Sequence, residues 1–235
     1  MTSTRSISAS LKERFGVEFR DDGLLGLALI HASFANEVPG ASAESNERLE
    51  FLGDALLNLV VAQELFQQHP DWPEGMLTSA RAALVRTETL AGVAESLSLG
   101  AYLVMGKGEE TSGGRGRPSN LAAALEALAG ALLLDQGYAA ARRFVLAALD
   151  VGMREVADAP PPQNAKSMLQ ELVQSMGMPP PVYDIVEISG RDHAREFTAE
   201  VRVDDEVKGR GSGPRKALAE QQAAEQALHI LQARA

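Results

Sequence analysis

Three consecutive prolines, at positions 160–162, constrain the fold of this 235-residue chain more than any other feature. A proline run cannot continue a helix or pair within a sheet, and it favours a stiff, extended spacer. The chain is also long enough to bury two separate cores. We therefore predict a first domain over residues 1–157, a proline-rich linker over 158–163 and a second domain over 164–235.

The sequence before the prolines has the pattern of an all-α domain. Alanine- and leucine-rich segments with helical spacing run roughly over 46–68, 76–99, 119–136 and 138–156. Clusters of glycine and proline separate these segments and are typical of loops, for example at 72–75, 106–108 and 113–116.

The sequence after the prolines has a different pattern, which predicts a small α+β domain. An amphipathic helix is expected over 164–177, since Gly177 closes it and three further prolines follow at 179–181. Residues 182–189 and 196–203 alternate as strands do, and 207–211 form a shorter third strand. A final helix is expected over 214–231. The predicted order is helix, three strands, helix.

Composition limits the possible functions only partly. The chain has no cysteine, which excludes disulfides and thiolate metal sites and agrees with a reducing cytoplasm. It shows neither a signal-peptide core nor an apolar stretch long enough to span a membrane. The net charge of -10 opposes a general attraction to nucleic acid. Any function in nucleic-acid binding must therefore depend on where particular residues lie.

Three carboxylates occupy one face of the first long predicted helix. Glu47, Glu50 and Asp54 are separated by three and four residues, so they fall within about 60° of one another around the helix axis. Such carboxylates repel one another unless a cation lies among them, and hard oxygen ligands suit Mg²⁺. The alternative is a solvated acidic face without a metal.

The order of the residues around these carboxylates resembles a known family. The run NERLEFLGDA at 46–55 is nearly identical to the sequence that marks the ribonuclease III family. The segments 31–37, 84–86 and 103–110 resemble other blocks of that family in the same order. This resemblance implies a magnesium-dependent endonuclease that cuts double-stranded RNA. Its products would carry 5′-phosphates and short 3′ overhangs, and its role would lie in processing rRNA and mRNA.

The resemblance also implies roles for individual residues. Glu50, Asp54 and Glu126 would be the metal ligands, with Asp54 and Glu126 as the catalytic pair. Two Mg²⁺ ions, which Mn²⁺ could replace, would activate a water and stabilise the leaving 3′ oxygen. Glu47 would lie beside the site, in contact with RNA or with a second subunit.

One position departs from the family's pattern. The second acidic helix of the family carries Asp-x-x-Glu, and Ala123 stands here where the Asp is expected. Water could take the place of that ligand. The alternative function is a double-stranded RNA-binding scaffold that is impaired in cleavage because of Ala123.

The resemblance further implies a homodimer, with neither a membrane nor a nucleotide cofactor among its partners. Phe51 and Gly53 are expected at the contact between subunits, where the ring would fill a pocket of the partner and the glycine would allow close approach. The alternative for both residues is ordinary packing within one chain.

The second domain resembles a double-stranded RNA-binding domain, which reads the shape of A-form RNA and its phosphates. The residues expected to contact RNA lie on the first helix, in the loop between the first two strands and at the start of the last helix: Gln170, Glu171, Gln174, His193, Arg215 and Lys216.

Two further residues lie beside the expected nuclease site, and two lie in the glycine-rich loop before the second acidic helix. His31 and Asn36 are interpreted as structural neighbours rather than as acid or base. Arg115 and Arg117 could contact phosphate, although an ordinary surface loop explains them equally well.

Overall fold

The structure is a computed structural model that describes residues 2–37, 44–159, 164–190 and 195–232. Contacts between residues divide the chain into two compact units, 1–72 with 80–161 and 162–235 with 73–79. The boundaries at 157 and 164 and the linker between them remain predictions, because residues 160–163 lie outside the described residues.

Helices form the described part of the chain up to residue 158. Their bounds are α1 Thr2–Phe15, α2 Asp22–Ala28, α3 Ala32–Glu37, α4 Glu47–Gln68, α5 Glu74–Val85, α6 Thr87–Ser96, α7 Lys107–Thr111, α8 Pro118–Gln136 and α9 Tyr138–Asp158, with short 3₁₀ turns at Leu99–Tyr102 and Gly114–Gly116.

The helix α8 is the centre of the first unit and packs against α2, α4, α6 and α9. Its side chains are apolar on almost every side, which is the pattern of a helix buried in a core. Glu126 is the only charged residue between Leu121 and Leu134. The fold thus places one carboxylate, Glu126, in the apolar central stretch of the most buried helix of this unit.

Two glycines bring α4 and α8 unusually close together. A Cβ on Gly53 would lie 1.8 Å from the carbonyl oxygen of Glu126, and a Cβ on Gly130 would lie 2.2 Å from that of Leu49. Gly53 is therefore buried against α8 of its own chain. This corrects the expectation that Gly53 lies at the contact between two subunits: the close approach that it allows is within one chain.

The predicted helix over 76–99 is in fact two helices. Arg86 has an extended backbone, with ψ of 154°, and it ends α5 and precedes α6. The hydroxyl of Thr89 donates to the carbonyl oxygen of Ala83 and joins the two helices at the break. Since the apolar spacing continues through Arg86, hydrophobic periodicity alone gave no sign of this turn.

The second unit contains α10 Ala165–Ser175, three strands and α11 Lys216–Gln232. The strands β1 Val182–Ser189, β2 Glu196–Val203 and β3 Glu206–Gly213 form an antiparallel sheet in the order β1-β2-β3. In the core of this unit, alternate residues of β2 pack against the alanines of α11 and the apolar face of α10.

Glycines again decide how closely these elements pack. A Cβ on Gly209 or Gly211 of β3 would lie within 2.3 Å of the backbone of Ala223 in α11. The third strand is longer than the predicted 207–211, because β3 pairs with β2 from Glu206 to Gly213.

The predicted fold class is confirmed. The described residues form a helical N-terminal domain, followed by a helix, three antiparallel strands and a helix. No helix among the described residues is both long enough and apolar enough to cross a membrane.

Substitution of Gly53 by alanine tests the contact between α4 and α8. We expect Gly53→Ala to lower the free energy of unfolding by about 3 kcal/mol, since the added methyl group must push the two helices apart. Chemical denaturation of the purified variants measures this loss.

Gly92→Ala is the matched control, because Gly92 lies within α6 and a Cβ there meets nothing within 4 Å. It should raise stability by about 0.5–1 kcal/mol, since alanine loses less conformational entropy on folding than glycine. Equal effects of the two substitutions would contradict the close contact between α4 and α8.

Candidate functional site

The start of α4 is anchored to the segment that precedes α3. The backbone N–H of Asn46 donates to the carbonyl oxygen of Ile30 at 2.8 Å, and its side-chain amide donates to that of Ala28 at 3.3 Å. Asn46 is buried, so this anchor is shielded from water. It fixes the first turn of α4, where Glu47 and Glu50 lie.

The three carboxylates of α4 differ in exposure. Glu47 and Asp54 are exposed, whereas Glu50 is partly buried. Burial raises the pKa of Glu50, and the negative charges of Glu47 and Asp54 raise it further, while nearby His31 lowers it. The predicted acidic face is therefore present on α4, with Glu50 at its least exposed point.

Glu126 extends from α8 toward the carboxylates of α4. Burial raises its pKa to about 7, and the negative charges of Asp54 and Glu50 contribute to the shift. Carboxyl groups from two helices thus lie close enough to disfavour one another's ionisation. Glu126 thus lies near enough to Asp54 and Glu50 for their charges to raise its pKa, and the assignment of the three residues as metal ligands stays a prediction.

These side chains do not form a ready-made metal centre. No three His, Cys, Asp or Glu side chains within the described ranges are grouped so that they could hold one metal ion. Ala123 is partly buried on α8, one turn before Glu126, and its methyl group supplies no ligand.

The segment 31–37 is hydrogen-bonded to the segment that begins α7. The Ser33 hydroxyl oxygen accepts the backbone N–H of Gly106 at 3.0 Å and lies 2.8 Å from Nδ1 of His31. The carboxylate of Glu37 accepts the N–H groups of Lys107 and Gly108, and these bonds hold its pKa below the usual range.

Two of the segments that carry the family resemblance, 31–37 and 103–110, therefore meet in the structure. His31 and Ser33 support this junction, in agreement with the interpretation of His31 as a structural neighbour of the site. Asn36 belongs to α3, within the same segment.

Arg115 and Arg117 hold the loop before α8 in place. Arg115 donates to the carbonyl oxygens of Gly100 and Leu103 at 2.9 and 2.7 Å and pairs with Glu110. Arg117 pairs with Glu109 and donates to the Ser112 hydroxyl at 3.1 Å. Both guanidinium groups are thus engaged within the chain, which supports a structural role rather than a contact with phosphate.

Sequence reasoning missed Asn58, which contacts one of the carboxylates directly. Its side-chain amide donates to Oδ1 of Asp54 at 2.9 Å and to the carbonyl oxygen of Asp54 at 3.0 Å. A signal was present in the sequence, because Asn58 is the only polar residue in the run ALLNLVVA at 55–62.

Another face of α4 carries exposed apolar side chains. Phe51 is 79% exposed, Phe66 71% and Leu59 57%. Phe51 also borders a cavity of about 610 Å³ that leucines of α2, α4 and α8 line, together with polar residues of the α4 start. Phe51 therefore does not pack in the core of its own chain.

In the second unit, the predicted RNA-contacting residues that the structure describes are exposed. They lie on α10, on the side away from the buried Leu169 and Val173, and at the start of α11: Gln170, Glu171, Gln174, Arg215 and Lys216. His193 lies outside the described residues.

A partly buried contact to an aromatic ring joins α10 to the sheet and to α11. Lys166 forms an ion pair with Glu220 at 2.5 Å, and its Nζ lies 4.5 Å from the centre of the Tyr183 ring. Burial raises the pKa of Tyr183 to about 12, with a further contribution from Glu220. This contact fixes the position of the helix that carries Gln170 and Gln174.

Both parts of the chain match models of known protein families. The model described as "Ribonuclease-III-like" matches residues 21–150, and the model of the double-stranded RNA binding motif matches residues 165–231. The helical unit with its carboxylates is therefore a nuclease domain, and the smaller unit is an RNA-binding module.

Sequence similarity to known proteins extends over nearly the whole chain. "Ribonuclease 3" of Roseiflexus sp. (strain RS-1) is 46% identical over 224 residues, which cover 94% of each chain. That of Pelotomaculum thermopropionicum is 47% identical over 218 residues, 93% of this chain and 90% of the relative. A solved nuclease domain of ribonuclease III from Campylobacter jejuni superimposes with a TM-score of 0.57 at 41% identity, covering 62% of this chain and 97% of that domain.

The chain belongs to the ribonuclease III family and is an endoribonuclease of the class that acts on double-stranded RNA. The family predicted from the run at 46–55 and the double-stranded RNA-binding domain predicted from the element order are both confirmed.

The raised pKa of Glu126 predicts how the metal-free protein responds to pH. Between pH 4.5 and about 7 the folded protein retains a proton that the unfolded chain has released, so stability falls as pH rises through this window. We expect a loss of about 1–2 kcal/mol between pH 5 and pH 8, allowing for partial screening by solvent.

Urea denaturation in EDTA at the two pH values measures this loss. Glu126→Gln should remove most of the loss, whereas Glu155→Gln, at an exposed position on α9, should leave it unchanged. The shift is contradicted if Glu126→Gln has the same pH dependence as the parent protein.

Proposed function

We propose that this endoribonuclease uses Mg²⁺ bound by Glu50, Asp54 and Glu126 to cleave double-stranded RNA. The observation that carries this proposal is the approach of carboxylates from α4 and α8, where the pKa values of Glu50 and Glu126 are raised. The two helices also approach closely at Gly53, so the site lies on rigid parts of the fold.

The chemistry of these side chains fits a divalent cation. Carboxylate oxygens are the ligands that Mg²⁺ prefers, and Mg²⁺ keeps several waters, so few protein ligands are needed. A cation would also relieve the repulsion that disfavours ionisation of Glu126. Since the side chains are not yet grouped around one point, binding would draw them together. Mn²⁺ has the same preference for oxygen ligands and could replace Mg²⁺.

The residues of this chain have distinct parts in the proposed reaction. A bound metal would supply Lewis-acid chemistry, through an activated water and a stabilised leaving 3′ oxygen. Asp54 and Glu126 would orient the hydrated cation from two helices, and Glu50 would complete the set from its less exposed position. Glu47, exposed at the start of α4, would contact RNA or a second subunit.

The second domain would supply the preference for a duplex. Gln170, Glu171 and Gln174 would contact the minor groove, while Arg215 and Lys216 would contact phosphates at the start of α11, where the helix dipole favours an anion. His193 is proposed for the same surface. We propose cytoplasmic processing of rRNA and mRNA, with products that carry 5′-phosphates and short 3′ overhangs.

Ala123 favours a second candidate function, a double-stranded RNA-binding scaffold that cleaves poorly. The methyl group of Ala123 supplies no oxygen where a fourth carboxylate would otherwise stand. Against this candidate, the three remaining carboxylates retain positions from which they influence one another electrostatically. We therefore favour the nuclease, with a water in place of the fourth ligand.

We also propose that two copies pair through α4. Phe51, Ala55, Leu59, Ala62 and Phe66 follow spacings of four, four, three and four residues, which place them along one side of the helix. Two-fold pairing would let Phe51 of each copy enter the leucine-lined cavity of the other, as expected for an isologous interface. The Campylobacter jejuni structure is described as containing a "region involved in dimer formation".

Cleavage of a long RNA duplex tests the nuclease directly. We expect cleavage with Mg²⁺ and none in excess EDTA, and we expect Glu126→Gln to lower the rate at least about 100-fold, because one of three carboxylates at the metal is lost. Denaturing gels measure the rate, and terminal labelling identifies the 5′ ends. Unchanged cleavage by Glu126→Gln would rule out the proposed metal site.

The substitution Ala123→Asp distinguishes the nuclease function from the scaffold function. If the parent protein is an active nuclease, it cleaves with Mg²⁺, and the added carboxylate lowers the Mg²⁺ concentration that gives half-maximal rate. The scaffold predicts that the parent protein binds duplex RNA but cuts it poorly even at saturating Mg²⁺, and that Ala123→Asp raises this maximal rate. Residual activity that is equal in Mg²⁺ and in EDTA would argue against both.

Substitution of Phe51 tests the proposed dimer. Phe51→Ser should convert the protein to a monomer in sedimentation experiments at micromolar concentration, because it removes the ring that would enter the partner's cavity. Val151→Ser, which alters another exposed apolar residue on α9, should leave the dimer intact. A parent protein that sediments as a monomer would contradict the pairing.

A further inference from the structure

We infer that Asn58 is a positioning residue that holds the Asp54 carboxylate in place for a divalent cation. This inference deepens the proposed function and depends on the metal site proposed there. It starts from the two hydrogen bonds that the Asn58 amide makes to residue 54, at 2.9 Å to Oδ1 and at 3.0 Å to the carbonyl oxygen.

The geometry directs the Asn58 amide nitrogen to two oxygen atoms of one residue. A primary amide has two N–H groups, and one can point to the Asp54 carboxylate while the other points to its backbone carbonyl. Residues four apart lie on the same face of a helix, and side chains tilt toward its N-terminus, so Asn58 reaches back over Asp54. The contact fixes Oδ1 of Asp54 and leaves Oδ2 available as a ligand.

Asp54 needs such support more than the other carboxylates do. It is exposed, whereas Glu50 and Glu126 are partly buried. An exposed carboxylate can adopt several rotamers, and fixing one of them before the cation arrives reduces the entropy lost on binding. Removing a residue that orients a metal ligand in this way commonly lowers the affinity for the metal about tenfold or more.

The sequence around Asn58 supports a specific role. Asparagine is a weaker helix former than leucine or alanine, and it interrupts the apolar run at 55–62. The alternative is that Asn58 only forms a local hydrogen bond from its side chain to the helix backbone, which does not change the affinity for the metal. That alternative predicts no change in metal affinity when the amide is removed.

The same helix offers a matched control. The side-chain amide of Gln68 donates to Oε1 of Glu64 at 2.8 Å, again four residues earlier on α4. Gln68 ends the helix, whereas Asn58 lies one turn beyond Asp54. Asn58→Leu and Gln68→Leu therefore remove the same kind of bond, beside the proposed site in one case and far along the helix in the other.

The test measures Mn²⁺ binding to the full chain without RNA, by the loss of the free-ion signal in electron paramagnetic resonance. We expect Asn58→Leu to weaken Mn²⁺ binding about tenfold and Gln68→Leu to leave it unchanged. Asn58→Gln retains an amide and should recover part of the affinity. Thermal unfolding in EDTA confirms that each variant is folded, and Asn58→Ala replaces Asn58→Leu if that variant is not.

The outcomes separate the inference from the metal site itself. If the parent protein binds Mn²⁺ and Glu126→Gln does not, while Asn58→Leu binds like the parent, the positioning role is wrong and the metal site stands. Equal losses in Asn58→Leu and Gln68→Leu, or no recovery in Asn58→Gln, also overturn the positioning role. If the parent protein does not bind Mn²⁺, the proposed metal site fails and the inference fails with it.

Discussion

The close contact between α4 and α8 is the constraint on which the nuclease domain depends. Gly53 faces the backbone of Glu126, and Gly130 faces the backbone of Leu49, so neither crossing point leaves room for a side chain. This contact does two things together. It buries the apolar surface of α8 in the core, and it sets Glu126 beside the acidic face of α4. Stability and the candidate site therefore share one interface.

The same proximity creates the electrostatic character of the site. A carboxylate on the most buried helix of the domain is costly to ionise, and its neighbours on α4 add to that cost. Unfavourable electrostatics at a site that also carries family-specific residues is typical of a functional centre rather than of a structural one. A divalent cation would turn the repulsion into attraction, and Asn58 would restrain Asp54, the most exposed of the three proposed ligands.

Much of the fold could be predicted because its signals are local. The period of the long helices α4, α8 and α9 and the alternation of β1 and β2 each depend on residues close together in sequence. The break at Arg86 was not predictable in this way, since it depends on one backbone dihedral within a continuous apolar pattern. The short helices α3 and α7 were also missed, because they depend on hydrogen bonds between segments about 70 residues apart.

The site shows the same division between local and distant information. Spacing placed Glu47, Glu50 and Asp54 on one face, and the resemblance supplied Glu126, which lies far along the chain. Gly53 was assigned to a contact between subunits because a glycine in a signature does not say which surface it faces; the structure turns it inward. Arg115 and Arg117 have the charge expected of phosphate-binding residues, but their partners at Gly100, Leu103, Glu109 and Glu110 come from tertiary structure.

The proposed metal site can be located in a crystal of the full chain grown with Mn²⁺ and measured at an X-ray energy where manganese scatters anomalously. We predict an anomalous peak between α4 and α8, with oxygen atoms of Glu50, Asp54 and Glu126 as ligands or one water away. A peak elsewhere, or none at saturating Mn²⁺ with Glu126 turned away from α4, would contradict this prediction.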